Sequence, residues 1–491
     1  MPLLAALDVE IARTDAGIQA GLVDFDPIQT PQAWHRMLQG AEELINLVME
    51  PWEDEALHLQ FVMMPLAQAA TLRSDWVKVQ IAARYDDGME ERVIQTLQVM
   101  ASLSFACQQH GYPLALASVG EAAGYLQSVR RRWLALFYIM PKACRGSTIA
   151  RTAHDLFPLV TLAEFAGGPM TNLAQMAMMA RVFDDYTVTS DGAGVKASRD
   201  AVLLDPGGFD SERVSVLDMI EFGKVAIPVP VKGASGERRL LSRAEVLMQI
   251  GFFEAAFAEF NLAGSTFGDV QRLIAPLLTG PEDYVVSIPV SAFEAALQFP
   301  GALTPARLRT LLIFEGRDYT SAINSYQPFV QIDDLFVSNL NLLTRFLNDY
   351  KTIALSPQKR FQIRSGFIFE KKVREVLEAA GFAVKDITRI DRSEFDVVTT
   401  KSGAIHNFQC KNTFIDTRLI DTDPKRYARL NGTLVRSYRR AIKKELKREH
   451  LLTAKLGMPT VRHYVVSRFP VLTDDADIIP FTRLADVAST L

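Results

Sequence analysis

Two carboxylic acids, an amide and an ammonium group gather in the last third of the chain: Glu370, then Asp396, then Gln409 and Lys411 with Cys410 between them. Gln409 and Lys411 lie on Ala404 to Asn412, which reads as a strand, and Glu394 to Thr399 reads as its neighbour across the turn-like Thr400-Lys401-Ser402-Gly403. Side chains alternate along a strand, so Gln409 and Lys411 point one way while His406, Phe408 and Cys410 point the other. A hairpin then sets Asp396 near Gln409 and Lys411. Such a group can hold a hard cation, Mg²⁺ or Mn²⁺, through the Asp396 carboxylate and the backbone carbonyl of Cys410. Lys411 can orient or activate a water and offset charge on a developing phosphorane, with Gln409 positioning water or metal. Glu370 can reach the ion directly or through water. The chemistry implied is metal-dependent hydrolysis of a phosphodiester.

These residues need a helix and a sheet to place them. Apolar spacing predicts a helix from Ser356 to Ala380, opened by Ser356-Pro357 and stopped at Gly381, with Phe367, Phe369, Val373, Val376 and Leu377 on its buried face and Glu370 in its middle. Phe382 to Thr388 reads as a strand, Val461 to Val466 as the last core strand, and Ile478 to Ala488 as a closing helix-like element. Between them Thr433 to His450 has a helical period, with Leu434, Val435, Tyr438, Ala441, Ile442 and Leu446 on one face. Its other face carries Arg436, Arg439, Arg440, Lys443, Lys444, Lys447 and Arg448, balanced only by Glu445 and Glu449. That face reads either as a solvated surface or as a phosphate-contacting one, and Asp421 to Arg426 with Arg429 form a loop beside it. Charge favours the second reading. Residues 351–491 hold 27 Lys and Arg against 16 Asp and Glu, a net +11, whereas residues 1–350 hold 26 against 41, a net −15. A basic segment on an acidic chain points to a polyanionic partner there.

The strings Gly366-Phe-Ile-Phe-Glu370, Leu377-Glu-Ala-Ala-Gly381, Glu394-Phe-Asp396-Val-Val and Phe408-Gln409-Cys-Lys411-Asn412 follow the order helical Glu, strand Asp, strand (D/E/Q)xK. In this the segment of about 356–490 resembles the PD-(D/E)XK nuclease superfamily, and its QxK version is similar to the Mrr-type restriction nucleases. The resemblance implies a restriction-endonuclease-like αβββαβ domain, with Glu370 as the helical acid, Asp396 as the metal ligand, Gln409 at the first position of the third motif and Lys411 as the catalytic lysine. It departs from the family at Gln409, where most members carry an acid, and at Phe395, where many carry proline. The implied partner is nucleic acid, DNA before RNA, in restriction or phage defence. Cutting both strands of a duplex would need two sites, which a homodimer or a transient pair on DNA would supply. Two other readings stay open: a catalytically inactive nucleic-acid-binding protein using the same domain, and an interaction scaffold whose main role lies in residues 1–350.

The remainder sets the frame. With 491 residues, 48% hydrophobic and 22% charged, the chain has the composition of a multidomain globular protein and is neither disordered nor collagen-like. Residues 1–350 read as a mainly helical region of unassigned role, with helices opened at Thr30-Pro31 and spanning Glu90–Gln109, Glu121–Met140, Gly251–Phe260 and Thr304–Phe314. A loop and short-strand section falls at about 184–242, Ser242 to Glu245 form a capping box, and Ile332 to Tyr350 read as a last amphipathic helix before residues 351–491. No phosphate loop, HExxH, nucleophile elbow or GxGxxG occurs in this region. Met170, Met176, Met178 and Met179 read as core before pliable surface, and Arg130 to Arg132 as a solvated helix turn before a nucleic-acid contact. Cys107, Cys144 and Cys410 are too few and too far apart for a disulfide framework, which suits a reducing cytoplasm. The first residues lack the pattern of an export signal, and the apolar run Trp133–Met140 is far short of the ~20 residues of a membrane span.

Overall fold

The computed structural model describes residues 3–85, 88–190, 195–199, 240–279, 284–299, 301–323, 325–413, 423–469 and 471–491. It is a mixed α/β protein, with a large helical amino-terminal region and a carboxy-terminal mixed sheet. Helices Gln29–Met49, Met89–Gln109 and Val119–Ala143 form the centre of the first region. Trp133 to Met140 are buried on every side, as a helix apolar all round must be. Among the described residues no single helix is long and apolar enough to cross a membrane. Arg130 and Arg132 pair with Glu42 and Glu164 at 3.8 and 2.9 Å while their side chains stay partly exposed.

A second apolar cluster joins helices Arg243–Ala256, Thr266–Ile274 and Leu340–Leu355 to a three-stranded antiparallel sheet in which Leu335–Asn339 lies between Val285–Pro289 and Val330–Ile332. The amphipathic helix expected over 332–350 is therefore a hairpin followed by a helix. Asp333 takes a left-handed φ of 54° and turns the chain, and the Asn339 side chain accepts from the Leu342 N–H at 2.9 Å to start the helix only there. That helix runs across residue 351, and Ser356 N–H donates to Thr352 O at 2.8 Å. Ser356-Pro357 thus closes one helix, and the next begins at Lys359. Strands Val188–Ser190 and Val195–Ala197 pair in the expected short-strand section; the Gly and Pro signals at 191–192 and 205–236 lie outside the described residues.

The carboxy-terminal elements are α1 (Lys359–Ala379), β1 (Ala383–Lys385), β2 (Val397–Lys401), β3 (Ala404–Lys411), α2 (Pro424–Leu446), α3 (Glu449–Leu456), β4 (Val461–Ser467), β5 (Ile478–Pro480) and α4 (Leu484–Thr490). Helix α1 ends in a Schellman turn: Gly381 has φ 83°, its N–H donates to Glu378 O, and Phe382 N–H donates to Leu377 O. The sheet order is β5-β4-β3-β2-β1, with β3, β4 and β5 parallel and β2 antiparallel to both neighbours. The parallel step from β3 to β4 requires a crossover, which α2 and α3 provide. Helices α1 and α4 cover one face through Phe369, Val373, Leu377 and Leu484 on Phe408, Tyr464 and Val466. Helices α2 and α3 cover the other, where Tyr427 and Tyr438 meet Val465 and Leu452 meets Val398 and Ile405. Met178 and Met179 pack against α2, and Phe361 and Ile368 of α1 pack into the second cluster, so both helices are seated on the helical region.

Several boundaries differ from expectation. Phe367 is 62% exposed and Ile368 is buried in its place. At 100° per residue Phe367 lies 200° from Phe369, which faces the sheet. The helix expected over 433–450 starts at Pro424, taking Lys425, Arg426 and Arg429 out of the presumed loop, and breaks at Lys447; Asp421 lies outside the described residues. The presumed last strand has a further neighbour, β5, before the closing helix α4.

Candidate active site at the end of the central strand

The site begins with a turn. Ser402 and Gly403 have φ of 52° and 77°, the two left-handed positions of a type I′ hairpin, whose twist matches that of the strands. This sets the β2–β3 register from Ala404↔Lys401 to Phe408↔Val397, and one step further would bring Gln409 opposite Asp396. Strand β2 does not reach that far. Ser393 and Glu394 pair with Arg389 and Ile390, so Asp396 sits at a bend just before β2. Freed from the ladder, its carboxylate accepts the Cys410 N–H at 2.8 Å. The Cys410 carbonyl faces the same edge, because N–H and C=O of one strand residue point the same way.

Strand alternation holds for the rest. Gln409 and Lys411 share a side, and Lys411 Nζ donates to Gln409 Oε1 at 3.1 Å. Gln409 therefore serves as a rest for the ammonium. Glu370 comes from α1 on the opposite face and lies within electrostatic reach of Asp396 at the open strand end. Burial, and next the negative charge of Asp396, push its carboxyl up to about 7 against the opposing pull of Arg374 and Lys411. Asp396 is also raised, by burial first, with the Cys410 N–H and Lys411 holding it down. The four residues Glu370, Asp396, Gln409 and Lys411 are thus brought together.

A stability test follows from Glu370. A carboxyl that holds its proton more tightly when folded contributes stability that is fully present below its ordinary 4.5 and is lost as pH rises through about 7. In EDTA, the urea midpoint of the wild type should fall between pH 5 and pH 8 more steeply than that of Glu370→Gln. Parallel curves for the two proteins would contradict this assignment.

Two arginines clamp the chain on either side of Asp396, and sequence alone had not singled out either for this. Arg374, one turn beyond Glu370, donates to the Asp396 carbonyl at 3.0 Å. Arg448 donates to Glu394 O at 2.8 Å and lies 4.7 Å over the Phe395 ring. Its membership of the basic outer face is therefore corrected: the break after Leu446 turns it inward onto Glu445. Glu445 is itself buried rather than balancing surface charge, accepting from Arg448 and from Asn407 Nδ2 at 2.9 Å. Leu446, expected inside, is 51% exposed. The i, i+4 spacing of Glu370 and Arg374 was a usable signal; nothing local marked Arg448.

The proposed nucleic-acid face is on α2, which covers the opposite side of the sheet from α1. Arg439 is engaged with Asp475 at 2.7 Å and Arg436 donates to Thr433 at 3.1 Å. Arg440, Lys443, Lys444 and Lys447 are exposed and have no ion pair among the described residues. No group of three or more His, Cys, Asp or Glu side chains able to hold a metal ion occurs among the described residues. Comparison with protein-family models, curated proteins and solved structures returned no match.

Proposed function

We propose that the carboxy-terminal unit is a metal-dependent nuclease that hydrolyses phosphodiester bonds, with DNA as its substrate, on a restriction-endonuclease-like fold. The observation that carries this reading is the placement of Glu370 and Asp396, both buried enough to have raised carboxyls, within electrostatic reach of Lys411 at one strand end where the Cys410 N–H fixes Asp396. Buried acids that repel one another are short of positive charge. The order helix, three strands of the main sheet, two crossover helices, strand, running from α1 to β4 with a short separate hairpin at 389–394, supports the fold.

An Mg²⁺ or Mn²⁺ ion fits this donor set. Magnesium is commonly bound by one or two carboxylates plus water and substrate oxygens, so the absence of a third acid at Gln409 is compatible with it. Asp396 and Glu370 would hold it, with the Cys410 carbonyl a further oxygen at the same edge. When bound, the ion would acidify a water and polarise a phosphoryl oxygen. The chain's own groups do the positioning. The Cys410 N–H and Arg374 fix Asp396 from two directions, and Gln409 holds the Lys411 ammonium where charge develops on the phosphate. The test is cleavage of supercoiled plasmid, single-stranded DNA and RNA with Mg²⁺ or Mn²⁺ against EDTA. A wild type that binds these substrates and cuts none would favour the inactive binding module instead, for which Gln409 in place of an acid is the supporting feature.

Binding should also depend on α2. Replacing Arg440, Lys443, Lys444 and Lys447 together by glutamine should flatten the plot of log K against log salt by up to about 3.6 on duplex DNA, at roughly 0.9 per phosphate contact. Fluorescence anisotropy in EDTA between 50 and 200 mM salt would measure it. An unchanged slope would return this face to plain solvation.

A further inference from the structure

Strands β3 and β4 run parallel and end together at Lys411 and Ser467. Beyond them lies a cleft of about 490 Å³ bounded by Ser356, Gln362, Ser365, Asn412, Arg468 and Phe469, among others. The space outside the carboxyl ends of parallel strands is where α/β folds receive ligands, because side chains of successive loops converge there. Here the convergence is built from hydrogen bonds. Arg468 N–H donates to Lys411 O at 2.9 Å, its guanidinium donates to Asn412 Oδ1 at 2.8 Å, and Asn412 Nδ2 donates to Ser365 Oγ on α1 at 2.6 Å. Arg468 is 5% exposed and Ser365 is 2% exposed. A cation is thereby held in one orientation at the wall of a cleft whose other groups are hydroxyls, amides and two phenyl rings.

We propose that this cleft is a subsite for one nucleotide of a single strand, with Arg468 on the phosphate next to the one that is cut. The proposal rests on the nuclease reading and adds to it a substrate form and a recognition residue. The volume suits one nucleotide and excludes a duplex. A guanidinium is the group suited to a phosphate diester, since its planar fork offers paired N–H donors to two oxygens. Arg468 N–H is bonded to the Lys411 carbonyl and Asn412 follows Lys411 in the chain, so the cleft adjoins the same strand end that carries the candidate site. Phe361 and Phe469, both buried, form part of the apolar wall of the same space.

The experiment is anisotropy of a labelled single-stranded DNA oligonucleotide in EDTA across 50–200 mM salt, with thermal unfolding of each variant. Asn412→Asp keeps an acceptor for Arg468 but puts a negative charge beside the proposed phosphate. It should melt no lower than the wild type and bind about tenfold more weakly, the size of one charge-assisted hydrogen bond. Arg468→Ala should reduce the salt slope by about 0.7, one single-strand phosphate contact, and Arg468→Lys should restore it. Should Arg468→Ala fail to fold, Asn412→Asp decides alone. Wild-type affinity in Asn412→Asp, together with an unchanged slope in any folded Arg468→Ala protein, would overturn the subsite and leave the nuclease reading standing. A wild type that binds no nucleic acid would overturn both.

Discussion

Asp396→Asn should lower the rate of metal-dependent plasmid cleavage by about 10³-fold or more while leaving the fold intact. Asparagine keeps an oxygen to accept the Cys410 N–H, which the carboxylate now does at 2.8 Å, so the local backbone stays in place. The anionic charge that would hold the metal is lost. Removing one preorganised electrostatic group from a catalytic centre costs about 10²–10³ in rate, and losing a charged ligand removes the ion as well. The buried carboxylate has a raised pKa, so its ionised form opposes folding near neutral pH; the Asn variant should unfold at equal or higher denaturant. Lys411→Ala should match the rate loss without the gain in stability, because it removes the positive charge that lowers both acids. Single-turnover cleavage with Mg²⁺ and urea unfolding in EDTA are the two measurements. If either variant cuts within tenfold of the wild type, the assignment of these residues as catalytic fails.

Glu445→Ala should destabilise the protein by about 3–5 kcal/mol, the cost of breaking a buried ion pair by deleting one partner. Glu445 is 1% exposed and receives Arg448 and Asn407, while Asn407 also meets His463 at 3.1 Å. Without the carboxylate, Arg448 keeps its charge at a site where its side chain is only 14% exposed, and Asn407 loses a hydrogen-bond acceptor beneath the sheet. The damage would also reach the candidate site, since Arg448 holds Glu394 and Phe395, the residues that lead into Asp396. Urea midpoints would show the loss. A change below about 1 kcal/mol would mean that solvent or rearrangement satisfies Arg448, and that the network is less rigid than its geometry.

The helical region meets the candidate site mechanically as well as through sequence continuity. Phe361 and Ile368 tie α1, which carries Glu370 and Arg374, into the second apolar cluster, and Met178 and Met179 tie down α2. Any movement of these helices against the sheet would alter the placement of Glu370 relative to Asp396.

What the sequence determined by itself was the local geometry of the site. Alternation along β3 placed Gln409 beside Lys411, Gly381 and the Ser402-Gly403 turn ended the helix and set the hairpin, and the hairpin carried Asp396 to the strand end. These follow from backbone periods and left-handed positions spanning few residues, which chain chemistry dictates whatever the surroundings. Tertiary structure decided the rest. Whether Phe367 or Ile368 faced inward, whether Glu445 and Arg448 belonged to the core or the surface, and whether residues 330–339 formed strands depended on which neighbour each segment met. An amphipathic pattern records that a face is apolar but not where a partner ends. Arg448 turned from a surface cation into the support of Asp396 because α2 breaks at Lys447, beside the chain entering β2, and the buried Glu445 offered that charge a better partner than water.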